Sequence, residues 1–105
     1  MNELSLSYYI SISKGNAELL KTFKTLLLED VQSMDTRFFS AVEANDIDSM
    51  RNELHKLYPI VFNLNFSEML DLIEKYRHCS PDEIAKLNQE LRTYLAKIYD
   101  LIKTG

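Results

Sequence analysis

Four residues in 105 are glycine or proline, two of each. Hairpins and β-sandwiches use these residues at nearly every tight turn. A chain this poor in them folds into a few long elements joined by few turns, so the expected class is all-α. The length suffices for one domain with its own core and falls short of two. The expected domain is therefore the whole chain, 1–105. With 46% hydrophobic and 27% charged residues, the chain has enough apolar surface to order itself.

Helical periodicity fills in the elements. After the N-cap candidate Asn16, apolar residues recur at Leu20, Phe23, Leu27, Val31, Met34, Phe38 and Ala41. These steps predict a helix over about 17–44, ended by Asn45-Asp46, with Asp46 capping the next. The second stripe is Ile47, Met50, Leu54, Leu57, Val61 and Leu64, a narrow bundle-type seam. Asn63 and Asn65 mark its end. Ser67 is the expected cap of a third helix, with Leu70, Ile73 and Tyr76 inward. Ser80-Pro81-Asp82-Glu83 reads as a capping box with proline at the first helical position. The last helix follows with Ile84, Leu87, Leu91, Leu95, Ile98 and Leu101 or Ile102. Short connections imply antiparallel neighbours, hence an up-down-up-down four-helix bundle. Leu4 to Ile12 is expected to add a short N-terminal helix covering one end. Four mutually satisfied stripes favour a monomer.

Several function classes are excluded. Twelve Lys and Arg against 16 Asp and Glu give a net charge of −4, which offers no attraction to nucleic acid or to an anionic membrane surface. The longest apolar runs, Leu26 to Leu28 and Pro59 to Phe62, are far shorter than the roughly 20 residues of a membrane span. The first residues lack the basic start of a secretory signal. A single cysteine, Cys79, rules out an internal disulfide and a finger-type zinc site. A cytosolic location is expected. The glycines, Gly15 and Gly105, build neither a phosphate loop nor a nucleophile elbow. A di-metal carboxylate bundle needs Glu-x-x-His pairs. Asn52 precedes His55 by three and Lys75 precedes His78 by three, so no metal is expected. Asp71, Glu74 and His78 share one helix face that reads as solvated. Met34, Met50 and Met69 fall on apolar stripes and read as core filler, and Cys79 reads as an inert small residue.

His55 stands apart. At about 100° per residue it falls roughly 130° from the centre of its helix's seam, on the solvent side. Its helical neighbours are Arg51 one turn before, Tyr58 and Pro59 one turn after, and Phe62 two turns after. An exposed Tyr, Pro and Phe around a histidine form a candidate docking patch. Phe62 half-buried against the next helix is the alternative.

From Ile12 to Tyr76 the sequence resembles a histidine phosphotransfer domain. Ile12-Ser13-Lys14-Gly15-Asn16-Ala17-Glu18-Leu19-Leu20, then Phe23 and Leu28-Glu29-Asp30, looks like the family's first bundle helix. Ala44-Asn45-Asp46-Ile47-Asp48-Ser49-Met50 looks like the turn into its histidine-bearing helix. His55 and Leu57 match the phosphorylated His and the Leu of the family's His-x-Leu-Lys-Gly pattern. Leu64-Asn65-Phe66, with Met69, Leu72 and Ile73, falls where the family has Leu-Gly-Ala and its next helix. Two positions depart: Tyr58 stands for the Lys and Pro59 for the Gly. Proline removes the N–H that the His55 carbonyl would accept, so a kink is expected there, or a tolerated irregularity near a helix end.

The resemblance implies a phosphorelay carrier in two-component signalling, without catalytic activity or cofactor of its own. A receiver domain, of a response regulator or a hybrid sensor histidine kinase, brings an aspartyl phosphate and its own Mg²⁺. The His55 imidazole attacks phosphorus in line, and positioning and charge stabilisation come largely from the receiver. Arg51, Lys56 and the Tyr58 hydroxyl are the candidates to stabilise the phosphoryl group. Tyr58, Pro59 and Phe62 are the candidates to meet the receiver. Two readings compete: a module of the same fold that binds or blocks a receiver without transfer, and an unrelated helical adaptor.

Overall fold

The computed structural model describes residues 4–104; Met1 to Glu3 and Gly105, the ends of the expected domain, lie outside the described residues. The described residues hold five α-helices and no strand: α1 Ser7–Ser13, α2 Ala17–Glu43, α3 Ile47–Asn63, α4 Ser67–His78 and α5 Ile84–Thr104. A single 3₁₀ turn, Pro81–Glu83, leads into α5. Consecutive helices pack on one another, and α5 returns to α2. The molecule is elongated, 46 × 28 × 19 Å.

Local chemistry sets most boundaries. The Asn16 side chain accepts from the Leu19 N–H at 3.1 Å, and Asp46 accepts from Ser49 N–H at 3.1 Å, so both expected N-caps are made. Helices α2 and α3 end alike, each on an asparagine in the left-handed region, Asn45 (φ 55°) and Asn65 (φ 59°). Asp46 N–H reaches the Ala41 carbonyl and Asn45 N–H that of Val42; Phe66 N–H reaches Val61 and Asn65 N–H reaches Phe62. These are Schellman closures, which satisfy the orphaned carbonyls of a helix end. Asparagine tolerates the left-handed conformation that a branched side chain resists. The Glu83 carboxylate accepts the Ser80 N–H and hydroxyl, each at 3.0 Å, and fixes the entry to α5.

One cap differs from expectation. Helix α4 begins at Ser67 itself, with Phe66 at the N-cap and no side-chain cap bond. Phe66 is buried against Tyr94, ring centroids 5.0 Å apart, so burial of an aromatic ring outweighs one capping hydrogen bond here.

The core is one continuous cluster. Helix α2 contributes Leu27, Val31, Met34, Phe38 and Ala41; α3 contributes Met50, Leu54, Leu57 and Val61; α5 contributes Leu87, Leu91, Leu95, Ile98 and Ile102. All three stripes follow the expected spacing, and the three methionines are buried as expected. In α4 the buried residues are Met69, Leu72, Ile73 and Tyr76, while Leu70 is half-buried. Leu20 and Phe23, in the first two turns of α2, are also only half-buried. With 27 residues α2 outruns the helices it packs on, α3 having 17 and α5 21. Helix α1 lies along this overhang, with Tyr9 facing Phe23 at 6.4 Å. It is tied to the α3–α4 turn by the Ser5 N–H on the Leu64 carbonyl at 2.9 Å. Helix α3 continues through Pro59 to Asn63 without interruption.

No helix of the described residues is long and apolar enough to cross a membrane.

Candidate functional site

The candidate site lies on the outer flank of α3. Met50, Leu54, Leu57 and Val61 hold that helix to the core, which leaves His55, Lys56, Pro59 and Phe62 exposed and Tyr58 half-buried. His55 therefore has packed leucines on both sides, Leu54 and Leu57, and its own ring faces solvent. Phe62 is 62% exposed, which decides between the two positions open to it. Exposing a phenylalanine to that extent on a well-packed helix leaves considerable apolar area unburied.

The three candidate phosphoryl partners differ in their surroundings. The Arg51 Nε donates to the Tyr76 carbonyl at 3.1 Å. That carbonyl belongs to the last turn of α4, where intrahelical donors run out, and the Cys79 thiol reaches it too, at 3.5 Å. Arg51 thus ties the second turn of α3 to the end of α4. Lys56 Nζ lies 3.3 Å from Glu53 Oε2. Tyr58 packs its ring on the rim of the core.

Two further residues that the sequence reading did not single out shape the site. Glu53 is a nearly buried carboxylate, held by Arg37 Nε at 2.8 Å from α2 and by Lys56 from its own helix. Burial pushes its carboxyl up, but the hydrogen bonds and charges of Arg37 and Lys56 prevail and hold it below the usual range. Its spacing is the signal: three residues after Met50 and four before Leu57, it sits on the edge of the buried seam. Arg77 is the second. It stands on α4, yet it lines a small hollow with Arg51, Leu54, His55, Ile73 and Tyr76. No spacing within α3 signals a side chain that arrives from the next helix.

Asp71, Glu74 and His78 line an open hollow with Lys75 and Cys79. Glu74 is engaged by Arg77 at 3.5 Å and by His78 Nε2 at 3.8 Å. Among the described residues no three His, Cys, Asp or Glu side chains gather as a metal site. Tyr76, which lines the hollow of His55, is buried and its hydroxyl donates to Asn88 Oδ1 of α5 at 2.7 Å. Burial pushes the Tyr76 phenol well above its ordinary value, so it stays a donor.

What the site can do chemically is limited. It presents one exposed imidazole on a rigid helix, a neighbouring apolar patch, and guanidinium groups from two helices. Among the described residues it has no paired base, no nucleophile dyad and no enclosed cleft around His55. No family model, curated protein or solved structure matches the chain.

Proposed function

We propose that the chain is a phosphorelay intermediate of two-component signal transduction, a cytosolic monomer built as an up-down-up-down four-helix bundle with a short N-terminal helix. The observation that carries this reading is the exposure of His55 halfway along α3, beside exposed Pro59 and Phe62. A partner's surface can reach the ring without any rearrangement of the core.

In the proposed reaction a ring nitrogen of His55 forms a bond to phosphorus as the bond from phosphorus to the aspartyl carboxylate oxygen breaks. The carboxylate stays on the receiver, and the ring releases its N–H proton to solvent. Transfer to a second receiver reverses these steps. The chain supplies the nucleophile, its orientation, the docking patch and cationic donors near the ring, and the receiver supplies its own metal and most of the charge stabilisation. Its partners are receiver domains of response regulators or hybrid sensor histidine kinases. It works as a carrier and has no catalytic turnover or cofactor of its own.

Tyr58 and Pro59, standing where the resembling family has Lys and Gly, support a second reading. In it the chain docks a receiver and occupies it without transfer. Incubation with a phosphorylated receiver distinguishes the two. Acid-labile, base-stable label on the wild type and none on His55→Gln is the expected result. Tight receiver binding with no label favours the second reading. Absence of any receiver binding refutes both and leaves a helical adaptor.

A further inference from the structure

A phosphoryl group on an imidazole is an anion of nearly two charges, and cationic donors within hydrogen-bond reach hold it. Of the cations on α3, Lys56 is paired with the nearly buried Glu53, which already shares Arg37. Tyr58 offers only a neutral hydroxyl and packs on the core rim. Arg51 and, from α4, Arg77 remain, and both line the hollow that His55 borders.

The two arginines are differently prepared. The bond from Arg51 Nε to the Tyr76 carbonyl fixes one edge of its guanidinium and uses one of five N–H groups. Arg77 follows Tyr76 directly, so the same end of α4 brings both arginines to the hollow that His55 borders. Its one ion pair among the described residues, to Glu74 at 3.5 Å, joins side chains 49% and 52% exposed. Such pairs contribute little, and a phosphoryl dianion is a stronger partner than one carboxylate. The space inside the hollow is about 20 Å³, enough for a single oxygen-sized group. One phosphoryl oxygen would enter it, and the others would stay at the mouth, where a receiver must reach them.

We propose that Arg51 and Arg77 form a two-guanidinium oxyanion cradle for the phosphoryl group on His55, with Arg77 of α4 taking the part of the cation that Tyr58 cannot supply. This rests on the relay reading, but the cradle is also an anion site in its own right. It has a kinetic consequence. Hydrolysis of the phosphorus–nitrogen bond proceeds through the ring-protonated form, and two adjacent cations oppose that protonation. The cradle therefore prolongs the life of the phosphohistidine.

The test has two arms on the full chain. In the first, phosphoramidate serves as donor: a ring nitrogen bonds to phosphorus, the donor's P–N bond breaks, and ammonia leaves. Decay of the label is followed by ³¹P NMR. Arg77→Gln should shorten its lifetime by about threefold or more, and Arg51→Gln likewise. In the second, inorganic phosphate is titrated into the unphosphorylated protein against chloride at equal ionic strength. The Nε–H signals of Arg51 and Arg77 should shift with phosphate, and those shifts should weaken in Arg77→Gln. If His55 takes label but its lifetime is unchanged in Arg77→Gln and phosphate shifts neither arginine, the cradle is refuted and the relay stands. If phosphate shifts both arginines but His55 takes no label, the cradle stands as an oxyanion site and the relay fails. Neither label nor shifts refutes both.

Discussion

His55 and Leu57 are two residues apart on α3 and point in opposite directions, so a pair of alanine variants tests the orientation of the helix directly. Leu57 is 4% exposed and abuts a small, mainly apolar hollow lined by Val31, Met34, Phe38, Leu91 and Leu95. Leu57→Ala removes three carbons, worth about 0.8 kcal/mol each in transfer. The deletion enlarges a void that already exists, so a cavity contribution of about 1 kcal/mol adds to that. The expected loss is about 3.5 kcal/mol. At roughly 2 cal/mol/K of unfolding entropy per residue, this lowers the melting temperature by about 15 °C. His55→Ala removes an exposed side chain that only borders a small hollow at the edge of the core, and its expected effect is within about 0.5 kcal/mol. Thermal and urea unfolding followed by far-UV circular dichroism measure both. If the two variants melt together, or His55→Ala is the more damaged, α3 is turned differently and the site on its flank does not exist.

Tyr76→Phe deletes the hydroxyl that donates to buried Asn88 and leaves the amide oxygen without its partner; urea unfolding should register a loss of about 1–3 kcal/mol. Glu53 has its carboxyl held below the ordinary range, so the stability it contributes is complete above the unfolded value and fades as pH falls through the folded one. Urea midpoints between about pH 3 and 7 should therefore fall on the acid side, and Glu53→Gln should flatten that limb; an unchanged acid limb would show the Arg37–Glu53–Lys56 group to be inert. Phe62→Ala should leave the melting temperature within about 2 °C of wild type and weaken receiver binding, measured by calorimetry, by about tenfold or more. Equal receiver affinity would remove the apolar patch from the docking surface.

Much of the scaffold can be read from the chain because its signals are local. Asn16 and Asp46 cap by bonds spanning three residues, and Asn45 and Asn65 stop helices through their own backbone conformation. The orientation of His55 follows from the seam of one helix. What escapes is set between helices. Ser67 has the right chemistry for a cap, but Phe66 takes that place because its ring is needed against Tyr94. In α4 the stripe Met69, Leu72, Ile73 and Tyr76 is buried and Leu70 lies at its edge, half-buried, so the inward face is turned by a fraction of a turn from one centred on Leu70, Ile73 and Tyr76. Spacing puts Glu53 at the edge of the seam, but the cation that meets it there, Arg37 of α2, comes from another helix and has no mark in α3. Arg77 becomes a neighbour of His55 only once α4 lies against α3. Of the candidates Arg51, Lys56 and Tyr58, one spans two helices, one is paired with Glu53, and one leans on the core; only the pair of Lys56 with Glu53, three residues apart, has a signature in the spacing.

The unequal lengths of the helices divide the molecule by firmness. From Leu27 onward α2 is clamped by α3 and α5, whereas before it the stem has Leu20, Phe23 and the seven residues of α1 for support. Segments with few buried apolar groups open without the rest. Amide protons of α1 and the first turns of α2 should thus exchange with deuterium through partial unzipping, while those around Leu54 to Val61 wait for collapse of the entire structure. A visitor arriving at His55 would meet the slow-exchanging end, and little ordering entropy would be spent on the host side of that encounter.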